Sequence, residues 1–231
     1  KQRRCYGTTG QRILLNVTAN QRPMGADVQA DGPPEIAVQV LGTAPIERVD
    51  IFRGLECVRS YPGSMNRAED RVRVAWSGQR IRARNRLVRW DGGLRLDGGR
   101  ILNAEGFAFD SASEGIQEAD GNHVSWTSVT TGDADGVILT LDAPPEAQLH
   151  FNTPVVERSL TLAEIARGPV AVKAGGIEIQ VVFEQMPLGV GREVDLTFQE
   201  ETLTSGCHPY WVRVTQVDGA KAWASPIYVT V

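Results

Sequence analysis

The stretch that most constrains the fold is the last one, His208 to Val231, which reads HPYWVRVTQVDGAKAWASPIYVTV. Asp218-Gly219 is a two-residue turn of the kind that closes tight hairpins, because Gly accepts φ > 0 without steric cost. With that pair as the loop, Val217 faces Ala220, Val214 faces Trp223, Val212 faces Ser225 and Tyr210 faces Ile227. Val214, Val212 and Tyr210 with their partners fall on one side together with Val229 and Val231, which gives a buried apolar face and leaves Trp211 outward. Pro226 cannot donate to a ladder, so the strand breaks there or runs along an edge. The expectation is the closing hairpin of a β-sandwich.

The rest of the chain is read against that hairpin. Ile36, Val38 and Val40 alternate on one face, and Glu47–Arg53 with Leu55–Tyr61 forms a hairpin around Gly54. Val72, Val74 and Trp76 share a face, and two short strands flank Asp97-Gly98-Gly99. Residues 104–121 are polar and read as a surface loop. His123–Thr131 and Val137–Asp142 read as a hairpin around Asp133-Ala134-Asp135-Gly136. The helix signal is confined to Thr161–Arg167, where Thr161-x-x-Glu164 is a capping box and Gly168-Pro169 is a stop. Turns every 8–12 residues are the pattern of an immunoglobulin-like sandwich. The expected fold is therefore all-β: an Ig-like sandwich from residues 1–76 and 192–231, a β-rich unit at 77–191 inserted into it, and one short helix. A chain of 231 residues is long enough for both cores.

Charge is distributed unevenly. Residues 71–100 carry nine Arg against two Asp (+7), residues 101–231 six basic against eighteen acidic side chains (−12), and residues 1–70 a balance of +1, which sums to the net −4. Within the basic stretch, Arg80, Arg82, Arg84 and Arg86 alternate with Ile81, Ala83, Asn85 and Leu87, so a strand there would carry four guanidinium groups on one side. The planar Arg fork suits phosphate or carboxylate, which makes this face a candidate contact for an anionic ligand or a neighbouring domain. Its structural alternative is a solvated edge that pairs with the acidic half. Overall acidity, and aromatics confined to the flanking Trp76 and Trp90, argue against nucleic acid.

Catalytic patterns are sparse. His123, His150 and His208 form neither H-x-H nor H-E-x-x-H. Asp133-Ala134-Asp135-Gly136 begins like a calcium loop but lacks the later ligands. Cys207 and His208 are neighbours, so on a strand they point to opposite faces and cannot pair as nucleophile and base. Cys5, Cys57 and Cys207 make no C-x-x-C and read as buried or idle thiols of a reducing, cytoplasmic compartment. No run of about 18 apolar residues is present that would span a membrane. Residues 1–10 look like a connector, and the chain reads as a piece of something longer.

RRCYGTTGQRILLNVTANQRPMG at 3–25, SWTSVTTGDADGV at 125–137 and HPYWVRVTQVDGAKAWASPIYV at 208–229 carry a resemblance. They are similar to the region that follows the hydrolase domain in a large bacterial family of uncharacterised proteins. In that family a PHP-type (polymerase and histidinol phosphatase) metal-dependent hydrolase barrel ends in a helix and an Arg-rich C-Y-A-T-T-G-like segment. Related carbaryl-hydrolase-like metallohydrolases carry a similar R-T-Y-x-T-x-G segment. Here Gly7 stands where Ala is usual. The resemblance implies a non-catalytic C-terminal β region with no cofactor and no catalytic residue of its own, the divalent metal belonging to an upstream domain of the same polypeptide. Cys5, Tyr6, Thr8, Thr9 and Gly10 would form the junction with the barrel. The alternative is an independent binding module for a glycan or another anionic ligand.

Overall fold

A computed structural model describes residues 3–62, 66–82 and 84–231. Among the described residues the chain is all-β with a single short helix. In chain order the elements begin with β1 (Tyr6–Thr8), β2 (Leu14–Ala19), β3 (Arg22–Pro23), β4 (Asp27–Gln29), β5 (Ile36–Leu41), β6 (Ile46–Arg53) and β7 (Glu56–Pro62). There follow β8 (Arg67–Gln79), β9 (Val88–Arg89), β10 (Gly92–Asp97), β11 (Arg100–Phe107), β12 (Gly115–Ala119), β13 (His123–Thr127) and β14 (Val129–Thr130). Next come β15 (Ala134–Asp142), β16 (Gln148–Asn152), β17 (Glu157–Thr161), helix α1 (Leu162–Ala166), β18 (Val170–Lys173) and β19 (Ile177–Pro187). The chain closes with β20 (Glu193–Phe198), β21 (Cys207–Gln216), β22 (Lys221–Ala224) and β23 (Ile227–Thr230). Two compact units result, Lys1–Asn66 with Pro187–Val231, and Arg67–Met186. Residues 67–76, assigned above to the first unit, lie in β8 of the second.

The first unit is a sandwich of two sheets. One runs β20–β5–β2–β3. The other centres on β21, with β6 and then β7 on one side and β22 followed by β23 on the other; β1 pairs with β22, and β4 runs parallel to β23. Alternation drives it: Ile36, Val38 and Val40 point inward with Leu15 and Val17 from β2, and meet Val49, Ile51, Val212 and Val214 of the facing sheet. All are nearly inaccessible to water, and each fully buried side chain of this size contributes about 1.5–3 kcal/mol.

The closing hairpin forms, with a corrected register. Beyond Pro226 it is as expected, Tyr210 opposite Ile227. Nearer the turn Val214 pairs with Ala222 and Arg213 with Trp223, one residue off the expectation. The cause is loop length: the Gln216 amide donates to the Ala220 carbonyl, so three residues turn rather than two, with Gly219 at φ 85°. The slip reverses the faces of the outgoing strand. Ala222 and Ala224 are buried, and Trp223 is 37% exposed. Trp211, expected outward, stacks on Phe52 at 4.0 Å.

The second unit holds two five-stranded sheets, β12–β13–β10–β16–β17 and β11–β15–β8–β19–β18, and a two-stranded β9–β14 ribbon. The expected 123–142 hairpin does not form. β13 joins the first of these sheets and β15 the second, and the turn lies at 131–133. Residues 104–121 are not one loop either, since β11 runs to Phe107 and β12 follows. Trp76 and Trp126 stack at 4.5 Å between the sheets, with Phe151 and Trp90 alongside. Each indole N–H finds an oxygen: Trp76 donates to Ser128 Oγ, Trp90 to Thr130 Oγ1 and Trp126 to the Trp90 carbonyl. Helix α1 starts on the predicted capping box, with Thr161 and Glu164 bonding reciprocally.

Candidate functional site

The Arg ladder is not a strand face. Arg80 and Arg82 lie in the loop after β8, and Arg84 and Arg86 in a 3-10 turn. Asn85 and Arg86 adopt φ of 64° and 52°, in the left-handed region, which folds the loop back so that the Arg80 amide donates to the Arg86 carbonyl. Ala83 lies outside the described residues. The four arginines are all exposed, and none pairs with a carboxylate among the described residues. Trp76 and Trp90 are completely buried and available to no ligand.

The predicted junction residues are drawn into the first unit. Tyr6 lies opposite Ala224 and Thr8 opposite Ala222; the Ser225 amide donates to the Cys5 carbonyl, and the Thr9 amide to the Lys221 carbonyl. Gly10, at φ 105°, turns the chain away. The cysteines, expected buried or idle, are exposed free thiols.

The best-formed polar site lies elsewhere, on the outer face of the sheet β12–β13–β10–β16–β17. Its inner face is the core: Leu94, Leu96, Val124, Trp126, Leu149, Phe151 and Leu160 are all buried. Period-2 alternation turns their neighbours outward. The register then sets His123, Arg95, His150 and Ser159 side by side across four strands, with Ser125, Gly93, Asn152 and Glu157 as the next row. The result is a groove of about 750 Å³ that also borders Asp91. Gly93 lies in its floor, where a Cβ would be a tight fit, 3.0 Å from His123 Nε2 and 3.1 Å from the Val124 carbonyl.

One half of the groove is a connected network. His150 Nδ1 lies 2.7 Å from Ser159 Oγ and His150 Nε2 3.1 Å from Asp97 Oδ2, while Arg95 pairs with Asp97. In a neutral imidazole with the proton on Nε2, Ser159 donates to Nδ1 and Nε2–H donates to Asp97. That is the connectivity of a nucleophile, base and orienting acid. Two features weaken it as a catalytic device: Asp97 is shared with Arg95, and its side chain is 43% exposed, so water screens the relay. The other half is open. The side chains of His123, Asn152 and Glu157 make no hydrogen bond among the described residues. His208, by contrast, is spent on the Thr204 carbonyl at 2.8 Å. The sequence shows no H-x-H or H-E-x-x-H among the three histidines, because the row that joins residues 95, 123, 150 and 159 exists only through the cross-strand register.

A second polar cluster is buried. Asp135 is fully inaccessible and its Oδ2 accepts from Ser128 Oγ at 2.7 Å. Burial first, then the charges of Glu114, Asp133 and Asp110, push its pKa up to about 7 against the Ser128 hydrogen bond. Glu114 is raised by the same causes, burial first and Asp110 next. No three His, Cys, Asp or Glu side chains converge as a metal-binding group among the described residues.

Three bacterial proteins are similar to part of this chain. It is 32% identical over 74 residues to an uncharacterized protein of Chlamydia trachomatis serovar D and 33% identical over 72 residues to one of Chlamydia muridarum. It is 35% identical over 71 residues to one of Chlamydia pneumoniae. These matches take in 28–29% of this chain, and the chain spans 12% of the length of each of these curated relatives. No protein-family model matches, and no solved structure matches.

Proposed function

We propose that this chain is the non-catalytic accessory β region of a larger PHP-type metal-dependent hydrolase and packs on its catalytic barrel. The observation that carries this reading is the build of the junction. Cys5–Thr9 is hydrogen-bonded along β22 as an edge strand, so a domain preceding it would be held in a set direction rather than on a flexible tether. Beside it lies a hollow of about 560 Å³ where Tyr6, Leu14 and Leu41 are 39%, 56% and 43% exposed. An apolar hollow next to a stiff junction suits the docking of the adjoining domain. The far greater length of the relatives supports membership of a larger polypeptide. In the same proposal the first unit is immunoglobulin-like, with β2–β5–β20 in one sheet and β23–β21–β6–β7 in the other. The second unit then sits as an insertion between β7 and β20. Hydrolytic turnover by the metal-loaded full-length polypeptide, and none by this chain, is the expected result.

A second reading is favoured by Arg80, Arg82, Arg84 and Arg86, which are exposed and pair with no carboxylate among the described residues. It makes the chain a binding module for an anionic ligand. On this reading the chain is retained on heparin in low salt, and Arg82→Ala with Arg84→Ala abolishes the retention. Elution of the variant and the parent chain at the same salt concentration rules it out.

A further inference from the structure

We propose that the groove over β10, β13, β16 and β17 binds a neutral polyhydroxylated ligand of the saccharide class. The proposal is independent of the hydrolase reading and of the Arg loop.

The argument begins with what the groove holds ready. Arg95, Asp97, His150 and Ser159 fix one another's rotamers before any ligand arrives, so their ordering cost is already met on folding. Beside them, the side chains of Asn152, Glu157 and His123 make no hydrogen bond among the described residues. Gly93, in the row between Ser125 and Asn152, leaves that part of the sheet's floor bare. Polar groups held on rigid strands and left unpartnered are the equipment of a recognition surface.

The chemistry of the lining then selects the ligand. The Asn152 amide both donates and accepts, the Glu157 carboxylate accepts, and the His123 imidazole does one at each nitrogen. Sugar hydroxyls also donate and accept, so vicinal pairs can satisfy such a set at once. An anion fits worse. Glu157 borders the groove with no ion pair among the described residues, Asp91 is paired with Arg89, and Arg95, the cation of the lining, already pairs with Asp97. A phosphate or carboxylate would meet the bare Glu157 charge without a free cation to offset it. An apolar ligand fits no better, because Phe151, the aromatic residue of the lining, is 1% exposed and turned into the core. Without an aromatic platform the contacts are hydrogen bonds in competition with water, which places the affinity in the millimolar to high-micromolar range.

The test is an NMR titration of the whole chain with neutral gluco-, manno- and N-acetylglucosamine oligosaccharides, with heparin as the anionic comparison. Saturable shifts at residues 123, 152 and 157 with a neutral oligosaccharide are expected. Asn152→Ala with Glu157→Ala should weaken them about tenfold or more while the far-UV spectrum and melting curve stay the same. Heparin should leave these resonances in place. Three results overturn the proposal: no neutral oligosaccharide shifts them, the shifts survive in the double variant, or heparin displaces the sugar. None of these bears on whether the parent polypeptide is a hydrolase, and a full-length polypeptide without turnover would leave the groove's ligand unchanged.

Discussion

Replacing Asp135 by Asn will stabilise the chain above pH 7 and flatten the pH dependence of its unfolding. Asp135 is completely buried on β15, and its Oδ1, like Glu114 Oε2, is buried and receives no hydrogen bond among the described residues. The two carboxyls lie within hydrogen-bonding reach of each other. As bare carboxylates they repel and leave two oxygens unsatisfied; a single proton between them gives both a partner. The folded state therefore holds a proton that the unfolded chain releases near the ordinary carboxyl pKa of 3.8, and keeps it up to about 7. Because the folded pKa is the raised one, the native state binds more protons across this window, and stability falls as pH rises. The loss begins above the ordinary value and is complete once pH passes the folded one. The interval corresponds to about 4 kcal/mol as an upper figure. An Asn amide is neutral throughout; it can accept from Ser128 and donate to Glu114. Urea unfolding of both proteins between pH 4 and pH 8 checks this. The curves should meet at the acid end and diverge in favour of the variant toward pH 8, whereas parallel curves would mean that no shared proton exists.

The second large effect belongs to Trp76. Its indole stacks on Trp126 at 4.5 Å, lies 5.9 Å from Phe151, and takes an edge contact from Phe109 at 6.3 Å. Its N–H begins a chain that runs through Ser128 Oγ to Asp135. Trp76→Ala removes the largest side chain at the centre of the second core and orphans the Ser128 acceptor. It should cost about 3–5 kcal/mol by urea unfolding, with an unchanged m-value. Trp76→Phe keeps the stacking and loses the hydrogen bond, for about 1–3 kcal/mol. Trp223→Ala, on the solvent side of β22, should change stability by less than about 1 kcal/mol. A Trp76→Ala variant as stable as the Trp223→Ala one would mean that the indole cluster is not the centre of this core.

Local signals carried much of this fold. The alternation at 36, 38 and 40 and at 72, 74 and 76, the turns at Gly54 and at Asp97-Gly98-Gly99, and the Thr161 capping box each rest on residues within a few positions of one another. The misreadings share a different cause. The turn at Asp218-Gly219 gained a residue where the Gln216 side chain reaches back to the Thr43 and Ala44 amides, a tie across more than 170 positions. The alternation of Arg80 to Arg86 looked like a strand, and Asn85, a residue that tolerates positive φ, was the local sign of a turn within it. Asp133 to Gly136 looked like a hairpin loop, whereas Asp135 sits inside β15 opposite Trp76. The groove was the least legible feature. Its two rows draw on residues 93–95, 123–125, 150–152 and 157–159, and nothing in a single strand says which strand will lie beside it.

The measurement that bears most directly on the accessory reading is turnover, with added Mn²⁺ or Zn²⁺, of phosphoester and carboxyl-ester panels by this chain and by the full-length polypeptide. Activity in the full-length polypeptide and none in the chain is the predicted outcome. Metal-dependent turnover by the chain itself would contradict it, and loss of that turnover on Ser159→Ala or His150→Ala would place the chemistry in the groove.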